Sequence, residues 1–116
     1  MLIGELRQIL NARAYCGEDM MGHELLTACG SDMMSEVLAF AKDQSVLLTG
    51  LLNPQVVRTA EMMDMHCIVF VRGKIPTQAI LELAAELNIC VLSTNLTMFT
   101  ACGMLYEQGL RGGGEV

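Results

Sequence analysis

Three short apolar runs recur along this chain at a nearly fixed interval. They are VLLTG from Val46, IVFVRG from Ile68 and ICVLST from Ile89, starting 22 and then 21 residues apart. Each is too short and too rich in β-branched residues to be a buried helix, and each suits a strand buried on both faces. A turn and a helical pattern follow every one. Consecutive β-turn-α units of this length imply right-handed crossovers, which make neighbouring strands parallel. Strands apolar throughout need helices over both faces. The expected fold is α/β: a three-layer α/β/α domain around a central, mostly parallel sheet of about five strands.

The flanking sequence fills in the other elements. Leu2, Ile3, Leu6, Ile9 and Leu10 fall on one helical face, with Glu5, Arg7, Gln8 and Asn11 opposite, so the chain opens with an amphipathic helix. A strand is expected from Ala12 to Cys16, possible in antiparallel sense, and another over Glu24 to Gly30. Ser31 or Asp32 then caps a helix that turns Met33, Met34, Val37, Leu38 and Ala41 inward. Pro54 and Pro76, also 22 apart, both suit the first position of a helix. Asn53 is a natural N-cap for the first of these. The cap of the second is less clear: Ile75 cannot serve by its side chain, and Thr77 is the candidate. The last helical stretch, TMFTACGMLYEQG, is apolar nearly all round. Deeper burial within one chain explains that, and so does a subunit interface; the interface is preferred because 116 residues leave little protein to bury a helix on every side. One domain over residues 1–110 and a disordered tail over 111–116 are expected.

Charge narrows the partners. The net charge of −6 argues against nucleic acid and anionic membranes, which call for a basic face. No apolar run is long enough to span a bilayer, and the first ten residues, with Glu5 and Arg7 among them, do not read as a signal peptide. A cytoplasmic protein is expected. The five cysteines, Cys16, Cys29, Cys67, Cys90 and Cys102, have no CxxC spacing and mostly lie in apolar patterns, so they read as small buried hydrophobes. Neither His23 nor His66 falls at ligand spacing from a cysteine. No metal and no cofactor are expected.

In an open parallel sheet, ligands bind beyond the carboxyl ends of the strands. That edge collects Ser31 and Asp32, Thr49, Gly50 and Asn53, Arg72, Gly73 and Lys74, and Thr94, Asn95 and Thr97. Arg58 lies one turn into its helix and leans toward the same edge. Three of the seven Lys and Arg residues therefore gather where helix N-termini add partial positive charge. Each residue also has a plainer reading. Asn53 is first a helix cap, Thr49, Thr94 and Thr97 satisfy backbone groups, and Arg72-Gly73-Lys74 is equally a solvated turn. Neither GxxxxGK[ST] nor GxGxxG occurs. The histidines belong to the opposite ends of their elements and no carboxylate pair converges, so catalysis is disfavoured. The expected function is a non-catalytic regulatory module, homodimeric, binding a small anionic, nucleotide- or phosphate-bearing ligand at this edge. The alternative is a pure interaction module that docks an enzyme or a second copy through its Met-rich helices.

The order and spacing of VLLTG, IVFVRGKIPTQAILELAAELNICVLST and MFTACGMLYEQGL, preceded by LLTACGSDMMSEVLAF, resemble the DRTGG domain family over nearly all of Ala12 to Leu110. The resemblance implies an α/β domain similar to the N-terminal domain of HPr kinase/phosphorylase, of a kind also found within CBS-containing pyrophosphatases. It implies a regulatory or assembly role, often at a dimer interface. The signature itself departs: where the family shows an Asp-Arg-Thr-like stretch after the first glycine, this chain has Leu51-Leu52-Asn53-Pro54.

Overall fold

A computed structural model describes residues 1–42 and 44–113. In chain order the elements are α1 (Ile3–Ile9), β1 (Arg13–Cys16), β2 (Thr27–Gly30), α2 (Met34–Phe40), β3 (Ser45–Thr49), α3 (Pro54–Met62), β4 (Cys67–Phe70), α4 (Gln78–Glu86), β5 (Cys90–Ser93) and α5 (Met98–Glu107), with a short 3-10 turn at Glu18–Met20. The three repeated runs are β3, β4 and β5, buried along their whole length. The sheet order is β1-β5-β4-β3-β2. Strands β2 to β5 are parallel, and β1 closes the sheet antiparallel to β5 with an irregularity between Ala14 and Cys16.

The layers follow from the alternation of side chains along each strand. Val46, Leu48, Cys67, Val69, Cys90 and Leu92 face one way, where Ile3, Leu6 and Leu10 of the α1 segment and Ala101 and Leu105 of α5 cover them. Leu47, Ile68, Phe70 and Val91 face the other way, against Val37 of α2, Val56, Val57 and Ala60 of α3, and Ile80 and Ala84 of α4. This is the expected three-layer α/β/α arrangement. The five cysteines are free; Cys67 and Cys90 sit opposite each other on β4 and β5. Among the described residues no helix is long and apolar enough to cross a membrane.

Several boundaries differ from the sequence expectation. The strand expected from Glu24 starts at Thr27, because Glu24 instead bridges Leu2 and the Leu25 amide donates to the Met1 carbonyl. In α2 only Val37 is fully buried, while Met33 and Leu38 are exposed, since the helix has just 7 residues and lays a single narrow stripe on the sheet. Neither Ser31 nor Asp32 is its N-cap; Met33 holds that position, with Ser31 Oγ accepting from the Met33 amide at 3.0 Å. Pro76 is not the first helical residue. Helix α4 starts after Thr77, whose hydroxyl accepts from the Ile80 amide at 3.3 Å, whereas Pro76 and Ile75 have no side-chain acceptor to cap it. The residues after Leu110 begin in the sheet rather than free of it: Arg111 bridges Thr27, and its carbonyl accepts from the Ala28 amide at 2.9 Å. Residues 114–116 lie outside the described residues.

Candidate functional site

At the carboxyl edge of the parallel strands, the connections after β2, β3 and β4 converge on one carboxylate. Asp32 Oδ1 accepts from the Gly50 amide at 2.7 Å and from the Thr49 hydroxyl at 3.1 Å, and Oδ2 lies 3.7 Å from Arg72 Nη2. The Thr49 hydroxyl in turn accepts from the Leu51 amide at 3.2 Å. The Arg72 guanidinium lies over Gly50 in the space a Cβ would take, so a side chain there would have to displace it. Thr49 is fully buried, whereas the Arg72 and Asp32 side chains are 44% and 48% exposed. The cation expected to be free for a ligand thus already faces an acid, and the Gly50 amide already has its anion. An ion pair this exposed is worth about 0–1 kcal/mol.

The Gly50 amide, followed by the Thr49 hydroxyl and Arg72, holds the Asp32 carboxyl below its ordinary range against the effect of partial burial. A carboxylate with a depressed folded pKa contributes stability that is present above its unfolded value, about 3.9, and is lost as pH falls through the folded value. Asp32→Asn should therefore lower the melting temperature at neutral pH, with a cost of about 1 kcal/mol after allowance for solvent screening. The gap between variant and wild type should close as pH drops below about 4. Paired thermal melts from pH 7 to pH 3 check this; a gap that stays constant would show that the carboxylate charge contributes nothing.

The remaining expected residues divide. Asn53 caps α3, accepting from the Gln55 amide at 2.8 Å, and Thr97 caps α5, accepting from the Thr100 amide at 3.3 Å. The Thr94 hydroxyl is buried and donates to the Leu10 carbonyl at 2.8 Å, which ties the β5–α5 connection to the end of α1. These three serve the fold, and the plainer sequence reading of each holds. Ser31 Oγ hydrogen-bonds Met33 and Glu36. Arg58 is exposed on α3 and makes no hydrogen bond or ion pair among the described residues. Lys74 is half-buried, and its carbonyl accepts from the Ser93 hydroxyl at 2.6 Å. Gly73 and Asn95 line an open pocket of about 270 Å³ that also includes Asn11, Arg13, Tyr15 and Ile75.

This pocket contains residues that the list of strand ends omits. A parallel strand brings its carboxyl end to the edge, but β1 is antiparallel and brings its beginning there. Arg13 pairs with Ser93 in the β1–β5 register, so Asn11 and Arg13 arrive beside Asn95. The signal was the antiparallel option for the first strand, which moves Asn11 and Arg13 to this edge. The Arg13 guanidinium lies 5.1 Å from the centre of the Tyr15 ring. The walls are fixed by backbone bonds between the two neighbouring connections: the Arg72 amide donates to the Leu96 carbonyl at 2.8 Å and the Gly73 amide to the Thr94 carbonyl at 2.9 Å.

The two histidines stand at the other end of the sheet, before β2 and β4. Their ring centres are 5.1 Å apart, and His66 Nε2 is 3.2 Å from Asp64 Oδ1. Among the described residues no group of three His, Cys, Asp or Glu could hold a metal ion.

The family model of the DRTGG domain matches residues 5–107. Among solved structures, the chain is similar to the CBS and DRTGG domains of the regulatory region of a Clostridium perfringens pyrophosphatase, complexed with the activator diadenosine tetraphosphate. The TM-score is 0.69 at 18% sequence identity, over 96% of this chain and 50% of that one. At that identity the likeness is one of fold, and the chain spans half the length of its neighbour. No curated protein matches the chain by sequence.

Proposed function

Since the chain belongs to the DRTGG domain family, we propose that it is a non-catalytic regulatory module, homodimeric, that binds a small nucleotide- or phosphate-bearing anion at the carboxyl edge of its parallel strands. The observation that carries this reading is a pocket at that edge lined by Arg13, beside the connection that carries Arg72 and Lys74, with walls tied together by backbone hydrogen bonds. The chain is acidic overall, with a net charge of −6, so a local concentration of cations singles out one region for an anion. The similar C. perfringens region, regulatory and complexed with the activator diadenosine tetraphosphate, supports the same ligand class. The histidines lie at the opposite edge of the sheet from this pocket, which favours sensing over acid-base catalysis in it.

The dimer rests on α5. Ala101 and Leu105 face the sheet, yet Phe99 is 88% and Tyr106 52% exposed. Gly103 lies between them, with nothing within 4 Å of the place a Cβ would take. Residues 99, 103 and 106 share one helical face. A two-fold axis there places the same apolar face on both subunits, as a symmetric dimer requires. The same face would serve the alternative, an interaction module without a small ligand.

A melting-temperature screen of nucleotides and phosphorylated metabolites, run beside light scattering, tests the proposal. Saturation at about 100 times Kd is worth about 2.7 kcal/mol and raises the melting temperature by roughly 10 °C for a domain of this size. Scattering should give twice the mass of one chain, falling to a single chain in Phe99→Glu. A screen with no binder removes the ligand, and a wild-type monomer at high micromolar concentration removes the dimer.

A further inference from the structure

We infer, on the ligand-binding reading above, that the anion is taken by Arg13 and not by Arg72, in the pocket between β1 and the β4–α4 connection, and that the occupant is a phosphate monoester no larger than a mononucleotide. The two arginines differ in what already neutralises them. Arg72 lies 3.7 Å from the Asp32 carboxylate. Arg13 has no acidic partner within ion-pair distance among the described residues, and its guanidinium rests instead over the Tyr15 ring. Stacking on an aromatic face uses the flat side of the guanidinium and leaves its in-plane N–H fork for two oxygens of a phosphate. The ring also limits the rotamers of an exposed arginine, so less side-chain freedom is lost on binding.

The rest of the pocket suits what a phosphate monoester carries. Asn11 and Asn95 offer amide donors and acceptors for sugar hydroxyls or a base edge. Ile75, 68% exposed, and Tyr15 give an apolar flank for a flat ring. The position is where the connections after two neighbouring parallel strands leave toward opposite faces: α4 packs with Phe70 and Val91, α5 with Val69 and Leu92. That divergence opens a crevice in α/β sheets. Its volume of about 270 Å³ lies just below the usual range of ligand pockets, about 300–1,000 Å³. A dinucleotide would extend beyond it.

Calorimetric titration of the full chain with adenosine 5′-monophosphate, adenosine and inorganic phosphate tests the assignment. The monophosphate should bind, with adenosine at least tenfold weaker. Arg13→Gln should lose at least tenfold in affinity, and Arg13→Lys, which keeps the charge but not the fork, should lose less. Arg72→Gln should stay within about twofold of wild type. Arg13 is exposed, so both substitutions should leave the fold intact, as circular dichroism would verify. If the wild type binds and Arg72→Gln abolishes binding while Arg13→Gln does not, the pocket assignment is wrong and the ligand reading stands. Binding of a dinucleotide without binding of the monophosphate or phosphate overturns the size assignment. If neither these probes nor the wider screen bind, the ligand reading itself falls.

Discussion

Gly17→Ala should lower the melting temperature by about 10–15 °C, from a loss of roughly 3 kcal/mol. Two independent costs meet at this residue. Its φ of 82° is left-handed, which a side chain adopts at a cost of about 1 kcal/mol. A Cβ would also stand 2.7 Å from the Cys90 Cα and 2.9 Å from its Cβ, and strand backbone held between two neighbouring strands cannot give way as a flexible side chain does. The added methyl would push β1 off β5, and β1 carries Arg13 and Tyr15. Loss of stability and loss of ligand affinity should therefore appear together in this variant. Gly22→Ala is the control, because nothing lies within 4 Å of its Cβ position; its melting temperature should stay within about 2 °C of wild type. Equal effects at the two glycines would mean that the close approach to Cys90 is not what constrains Gly17.

Phe70→Ala should cost about 3–5 kcal/mol. Phe70 is fully buried in β4 and is the largest of the fully buried side chains. It packs in the layer that α3 and α4 share with Val56, Val57 and Ile80. Aromatics are only 4% of the chain, and the one other ring packed against this layer, among the described residues, is the partly buried Tyr15. With total stabilities of domains near 5–15 kcal/mol, this one change should remove about a fifth or more of the stability. Phe70→Leu, which retains most of the volume, should cost about 1.5 kcal/mol or less. Urea titration reads both as shifts in midpoint at constant slope. A Phe70→Ala cost below about 1.5 kcal/mol would mean that this layer repacks freely.

The candidate edge was only partly legible before the fold was known. The 22-residue recurrence located Thr49, Gly50, Arg72, Gly73, Lys74, Thr94 and Asn95 near one end of the sheet, because the end of each parallel strand is a local property of its own unit. What those side chains bond to is not local. Asp32 comes from the β2–α2 connection and meets Thr49 and Gly50 from a second and Arg72 from a third. An aspartate, an arginine, a threonine and a glycine meet at this turn, although no contiguous stretch contains them. Thr94 bonds a carbonyl 84 positions away, and nothing in its neighbourhood announces that. Asn53 and Thr97 were the opposite case: a cap satisfies amides two or three residues ahead, so sequence proximity suffices.

Hydrophobic periodicity by itself determined the class of fold, the parallel core of β3, β4 and β5, and the covering of both faces. Those features follow from short-range alternation and from connection lengths, which are written in the chain. Only the tertiary structure decided which cations are already neutralised and which are not. It placed β1 antiparallel on β5, so that Arg13 and Tyr15, from the start of the chain, stand beside Gly73 and Asn95 from its later half. The physical reason is range: backbone pattern acts over a few residues, whereas charge pairing and pocket shape depend on segments that only the packed sheet brings together.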